Sequence, residues 1–310
     1  MTTAFDYFLR LKQAANRVTE VLSAKGVAAD RLCFGGEGPL PTKKPRIPVD
    51  ANSNFLGNRA MGDWAESTFK GLLMESSFGL HPIHYGDTGE ISAGDEVFKD
   101  YYLAELEATR VFGKRPDLLL YSSEATPSED EFKEKTVGET ETLARRASAA
   151  IEVRSSKFKA LQYMRIRKME REAGIKVDRS CPSFTVKVED LIIVYRWMER
   201  FQVPECYAQV FFDSIFGINF LEIFEIIGSG SGFKIETPKQ SQEKATIMIP
   251  ITSGHKIALG SEPPDFRTVM RETRLGRVDA FVAPVGGKFT LDSAALNAVL
   301  FPQAGTETGR

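Results

Sequence analysis

At 310 residues the chain exceeds a usual single domain and falls short of two, so one main core with appended segments is expected. A hydrophobic fraction of 42% and a charged fraction of 26% exclude a disordered, collagen-like or disulfide-built polypeptide. The formal net charge of -2 gives no overall attraction for a polyanion, so any nucleic-acid contact must come from locally concentrated cations.

Residues 5–25 read as an amphipathic helix bearing Arg10, Lys12 and Arg17, without the apolar stretch of a secretory signal. No run approaches the roughly 18 apolar residues that a bilayer requires. A cytoplasmic protein with no membrane partner is expected. Cys33, Cys181 and Cys206 lack CxxC spacing, and an odd number suits reduced, buried thiols better than a disulfide framework. Residues 35–50, GGEGPLPTKKPRIPVD, form a linker or arm. Its Lys43, Lys44 and Arg46 either follow a polyanionic backbone or are simply solvated.

Residues 58–74 place Trp64, Ala65, Phe69, Leu72 and Leu73 at helical spacing, with Glu66 near the middle of the helix. A loop-rich stretch and a helix over residues 100–111 follow. Leu118 to Tyr121 read as a buried strand, and residues 127–135 as an acidic surface excursion. Residues 150–156, AIEVRSS, form the next strand of interest. Residues 157–172 are helical with a basic register, and residues 186–201 are a second helix, which Pro204 stops. A strand over 207–212 and a helix over 219–227 come next. The glycine cluster at 228–232 is a hinge that lacks the GK[ST] of a phosphate-binding loop, so no nucleotide cofactor is expected. A strand over 246–251 and a helix over 266–274 precede a hairpin made of VDAFVAP, a VGGK turn and FTL. A helix over 293–300 ends the pattern.

The chemistry-bearing pattern is Pro116-Asp117 at the start of one strand and Glu152-x-Arg154 within the next. Strand residues two apart share a face, so Glu152 and Arg154 project together and can meet Asp117 from a neighbouring strand. Magnesium demands hard oxygen ligands, and phosphodiester hydrolysis needs a metal to position water and neutralise charge. Asp117 and Glu152 supply such oxygens, and a carboxylate from the first long helix, Glu66, can complete the shell. Arg154 stands where a lysine is usual. A guanidinium is a poor general base, so Arg154 acts by charge and positioning. Lys157 is the nearest lysine, but three residues beyond Arg154 it begins on the opposite strand face. A salt bridge between adjacent strands would leave the same short pattern.

Arg267, Arg271 and Arg274 fall at i, i+4 and i+7, lining one face of the expected helix, with Arg277 just beyond. Such a face reads guanine edges, holds phosphates, or is merely solvated. Arg165, Arg167, Lys168 and Arg171 form a second basic face that lies near a bound backbone, at a subunit interface, or in solvent. Ser155 and Ser156 either donate to phosphate or close the strand. His81, His84 and His255 have no neighbouring cysteine, and the HPIH spacing argues against zinc.

NFLGNRAMGDWAE, GKRPDLLLY, AIEVRSSKF and SFTVKVEDLIIVYRW followed by YAQVFFD, all within residues 54–213, resemble the AccI family of type II restriction endonucleases. The resemblance implies an α/β fold with a restriction-endonuclease-like PD-(D/E)xK core, a central mixed sheet flanked by helices, an N-terminal helical segment and C-terminal α+β elements. It implies residues 1–50 as helix and arm and residues 51–310 as the nuclease domain, with a catalytic core over 54–227 and DNA-recognition elements over 233–310. It also implies Mg2+-dependent cutting of double-stranded DNA at a short palindromic site by a homodimer of a restriction-modification system, leaving 5′-phosphate and 3′-hydroxyl ends. By position, Asp117 and Glu152 become metal ligands, Arg154 takes the lysine slot and Glu66 is a supporting acid. Two other readings stay open: a structure-selective repair or recombination nuclease, and a DNA-binding module with a decayed site.

Overall fold

The strand sequence LLLYS is apolar on both faces because the sheet it joins is covered on both sides, while AAIEVRS is apolar only until Glu152 and Arg154 interrupt one face. The computed structural model describes residues 4–28, 32–34, 53–86, 98–122, 124, 126–133, 135–236, 245–272 and 276–302. The arm with Lys43, Lys44 and Arg46 lies outside these residues, as does Arg274.

Two long helices, α1 (Ala4–Ala24) and α2 (Ser53–Glu75), open the chain. They are followed by β1 (Leu80–His84), α3 (Phe98–Phe112), β2 (Leu118–Ser122), the single turn α4 (Glu141–Ala144), β3 (Ala149–Ser155) and α5 (Ala160–Glu172). Next come β4 (Ser183–Lys187), α6 (Val188–Phe201), β5 (Glu205–Val210), β6 (Ser214–Asn219), α7 (Phe220–Gly228) and β7 (Lys234–Glu236). The chain continues through β8 (Thr246–Pro250), β9 (His255–Glu262), β10 (Asp265–Glu272), β11 (Val278–Val285), β12 (Lys288–Leu291) and α8 (Ser293–Leu300). Among the described residues no helix is long and apolar enough to cross a membrane.

Seven strands form one mixed sheet in the order β1-β2-β3-β5-β6-β9-β12. Only the β3–β5 pair is parallel; the other neighbours run antiparallel. Alternation along the strands sorts side chains to two faces. Leu119, Tyr121, Ala150 and Tyr207 join the core under α1, α6 and α7, while Leu118, Leu120, Ile151, Val153 and Cys206 join the core under α2 and α8. Asn219 fastens the first of these layers. Its amide oxygen caps α7 at Leu221 and accepts from Tyr7 of α1 at 2.7 Å, and its amide nitrogen donates to Val299 of α8.

Several sequence expectations are corrected. The loop-rich stretch after α2 contains β1, which completes one edge of the sheet. Val186 and Lys187 belong to β4 and pair with β8, so the helix begins at Val188. The segment with Arg267 and Arg271 is β10 and not a helix; it pairs over its whole length with β11 as a two-stranded ribbon. VDAFVAP and FTL do not form a hairpin with each other, because β11 pairs with β10 while β12 joins the central sheet beside β9.

Candidate active site

Asp117 directly precedes β2, at the end of the sheet where β3 carries Glu152. The Leu118–Ile151 register brings the two positions side by side. The turn after β1 holds Asp117 in place: the amides of Tyr85 and Gly86 both donate to its carbonyl, at 2.9 and 3.2 Å. Gly86 eases that approach, since a Cβ there would stand only 3.1 Å from the Asp117 Cα. Across the strands, the Val153 amide donates to Asp117 Oδ2 at 2.6 Å, fixing the carboxylate beside β3.

Glu152 is 2% exposed, and its two oxygens differ. Oε1 receives the ammonium of Lys114 and, at 2.9 Å, the guanidinium of Arg154; Oε2 is buried with no partner. Arg154 also reaches Asp190 Oδ2 in the first turn of α6 at 3.3 Å, so its guanidinium bridges β3 and α6. Glu66 of α2 faces His84 of β1 at 3.4 Å and lines the same cleft. This cleft has a volume of about 360 Å³. Asn58, Met61, Gly62 and Glu66 of α2 form one wall, and Lys114, Asp117, Glu152 and Arg154 form the other, with Ser155 and Lys157 at the rim.

Burial and the adjacent Glu152 carboxylate push Asp117 well above the ordinary carboxylate range, against the opposing pull of Lys114. Burial also works to raise Glu152, but Lys114 and then Arg154 outweigh it and hold the group below its ordinary value. The two neighbouring carboxyls are thus pushed in opposite directions. The Arg154 guanidinium is raised, first by Glu152, against its own burial.

Thus Asp117, Glu152, Arg154, Glu66, Lys157 and Ser155 converge on one cleft. Lys157 does so because β3 has already ended at Ser155, so strand-face alternation no longer dictates its direction. Ser156 sits beside the cleft with its amide bonded to the Val210 carbonyl. Arg165 and Lys168 are exposed on α5, where Lys168 approaches Glu172 at 3.8 Å, and Arg167 pairs with Glu170. Arg267 and Arg271 lie on one face of the ribbon, since an even spacing shares a strand face, and Arg277 is held bidentately by Asp279 at 2.7–2.9 Å.

Lys114 escaped the sequence reading. No local spacing connects it with Glu152, 38 residues away; only the pairing of β2 with β3 does. Its position comes from Gly113, whose φ is +85° and which lies so close to α6 that a Cβ would stand 2.4 Å from the Ile193 carbonyl oxygen. The Lys114 amide then donates to that oxygen at 2.9 Å, turning the side chain toward β3.

The residues suit a hard divalent cation. The partnerless Glu152 Oε2, the Asp117 carboxylate and nearby Glu66 offer oxygens only. Among the described residues no three or more His, Cys, Asp or Glu side chains are grouped so that they could hold a metal ion by themselves. Magnesium does not require such a group, because it keeps several waters and takes one or two carboxylates plus substrate phosphate oxygens.

A family model described as AccI restriction endonuclease matches residues 20–178 and 164–304. No curated protein matches the chain, and no solved structure matches it.

Proposed function

Because the chain belongs to the AccI restriction endonuclease family, we propose that the cleft between α2 and the β2–β3 edge is the active site of a type II enzyme hydrolysing phosphodiester bonds in double-stranded DNA with magnesium. The observation that carries this reading is the buried, partnerless Glu152 Oε2 beside the Asp117 carboxylate. A lone buried acceptor costs about 1–3 kcal/mol unless something occupies it, and a cation shared with Asp117 is the occupant this chemistry provides. On this reading β2, β3 and β5 with their flanking helices are the PD-(D/E)xK core, within residues 54–227.

Asp117 and Glu152 would hold the ion, with Glu66 as a supporting acid across the cleft. When bound, magnesium supplies charge neutralisation at the phosphate and a more acidic water. The protein orients the rest: Arg154, braced by Asp190, fixes the Glu152 carboxylate, while Ser155 and Lys157 at the rim take neighbouring backbone oxygens. Water attacks phosphorus, the bond to the 3′-oxygen breaks, and the products carry a 5′-phosphate and a 3′-hydroxyl.

For recognition, the segment 233–310 offers the β10–β11 ribbon. A two-stranded ribbon fits the major groove, and Arg267 and Arg271 on one face have the reach to contact base edges. Arg277, tied to Asp279 beside the ribbon, and the exposed Arg165 and Lys168 on α5 add positive charge that would serve the phosphate backbone. A homodimer on a palindromic site completes the proposal, since each copy would then cut one strand.

Digestion of a large unmethylated DNA tests it. Purified protein yields discrete fragments with magnesium and none with EDTA. Asp117→Ala lowers the rate by about a thousandfold or more, as loss of several kcal/mol of charge stabilisation requires. A smear of products would favour a structure-selective or non-specific nuclease, and binding without cutting a DNA module.

A further inference from the structure

We propose that Lys114, delivered from the loop ahead of β2, is the cation that meets the scissile phosphate, and that Arg154 instead positions Glu152. This inference rests on the nuclease reading of the cleft. Both side chains touch the same carboxylate oxygen, yet they are held differently. Arg154 is clamped between two carboxylates on different elements, Glu152 on β3 and Asp190 on α6, through one terminal nitrogen at 2.9 and 3.3 Å. A group spanning two acids that both stay in place is fixed, with little freedom to follow a substrate. The Lys114 ammonium has one hydrogen-bond partner among the described residues, the Glu152 carboxylate, and its side chain lines the cleft, so what separates it from the equally accessible Arg154 is the lack of a second acid holding it. An ammonium carries three donors, so two remain to be offered.

The backbone of Lys114 is as rigid as the end of its side chain is available. Gly113 packs against the α6 backbone where no Cβ fits, and the Lys114 amide is bonded to Ile193. The loop therefore presents a flexible four-carbon stem from a fixed root, beside both Asp117 and Glu152. A divalent cation held by Glu152 would repel both cationic groups from Oε1; Arg154 would stay tied to Asp190, whereas the Lys114 ammonium would be free to turn to a phosphate oxygen. As the water oxygen bonds to phosphorus, the electron pair of the breaking bond passes to the 3′-oxygen, which takes a proton from solvent. The attacking water gives its proton to solvent, and Lys114 keeps all three of its own protons and stabilises the added charge on phosphorus.

The experiment compares wild type with Lys114→Gln, which can still donate to Glu152 but has no charge, and Lys114→Arg, which restores a charge. Three quantities are measured: the single-turnover cleavage rate on DNA containing the mapped site, the affinity for that DNA with calcium in place of magnesium, and the rise in melting temperature of the DNA-free protein on titration with magnesium. Loss of one preorganised donor predicts a rate about 100-fold or more lower for Lys114→Gln, with partial recovery in Lys114→Arg. DNA affinity should change by less than about threefold, and the magnesium needed for half the melting shift should stay the same or fall, because a competing cation has left Glu152. A Lys114→Gln rate near wild type overturns the proposal. So does weakened magnesium binding, which would make Lys114 a prop for the metal ligand and nothing more. A wild-type protein that cuts no DNA under any condition overturns the nuclease reading beneath it; a wild type that cuts while Lys114→Gln cuts equally well overturns the Lys114 assignment alone. If Lys114→Gln melts far below wild type, Lys114→Arg decides: recovery of folding without at least partial recovery of rate relative to an Arg154→Lys control also counts against it.

Discussion

Glu205, the first residue of β5, is wholly buried with neither carboxyl oxygen partnered. It lies in register with Ala150, behind the cleft, where burial and then the ionised Glu152 push it well above the ordinary carboxylate range. A raised acid binds its proton more tightly in the folded chain than in the unfolded one, whose value is about 4.3. Between that value and the raised one, the native state holds more protons, so its stability falls as pH rises. Glu205→Gln removes this dependence. Its melting temperature relative to wild type should climb steadily from about pH 4.5 through neutrality; a difference that stays flat with pH would show that the folded carboxyl titrates normally. At this scale the sequence was informative about Asp117 and Glu152, because strand alternation and a proline-aspartate start are local signals. Lys114, Asp190 and Glu205 were silent, since their meaning depends on which strand and helix they face.

Among elements, the ribbon shows how a sound spacing can point to the wrong structure. Arginines four apart share a face on a helix and on a strand alike, so their spacing could not expose the helix expected over residues 266–274 as a strand. Phe266, Thr268 and Val269 are strand-formers, but what settles the matter is the eight-residue pairing with β11, a tertiary fact. The proposed role survives the change of element because Arg267 and Arg271 still point the same way. Replacing either with alanine should weaken binding to the specific site by about 1–3 kcal/mol, measured by titration at fixed salt; unchanged affinity in the double variant would remove the ribbon from the DNA interface. The loop into β2 is the other element with a sharp requirement. Gly113→Ala meets both a positive φ and a backbone contact at 2.4 Å, so destabilisation of about 2 kcal/mol or more is expected, with the Lys114–Glu152 pair disturbed. Chemical denaturation of the variant measures the first effect directly.

For the molecule as a whole, the long amphipathic helices and the buried strands were legible because 3.6- and 2-residue periods are written into contiguous residues. The order of the seven strands was not, for β9 joins the sheet only after the chain has passed through β7 and β8, and β12 reaches its edge only after the ribbon. A net charge of -2 likewise hides where positive groups cluster once the chain is folded. The described surface puts Lys157, Arg165 and Lys168 on one stretch following β3, and Arg267, Arg271 and Arg277 on the ribbon, so DNA affinity should fall steeply with salt despite the acidic total. Competition binding at about 50 and 200 mM salt checks it, and insensitivity would deny these groups phosphate contacts.

Helix α2 brings Glu66 to the cleft and, through its other side, carries the ribbon: Trp64 Nε1 donates to the Gly286 carbonyl at 2.8 Å, and the Ser53 hydroxyl donates to Asp279 of β11 at 3.1 Å. On the proposed reading, a misfit under the ribbon would be transmitted along this one helix to Glu66 in the candidate active site. Trp64→Phe keeps an aromatic ring but cuts the tie at Gly286. Its expected signature is lost fidelity: cleavage at sites differing by one base pair rises relative to the cognate site, while cognate cutting changes little.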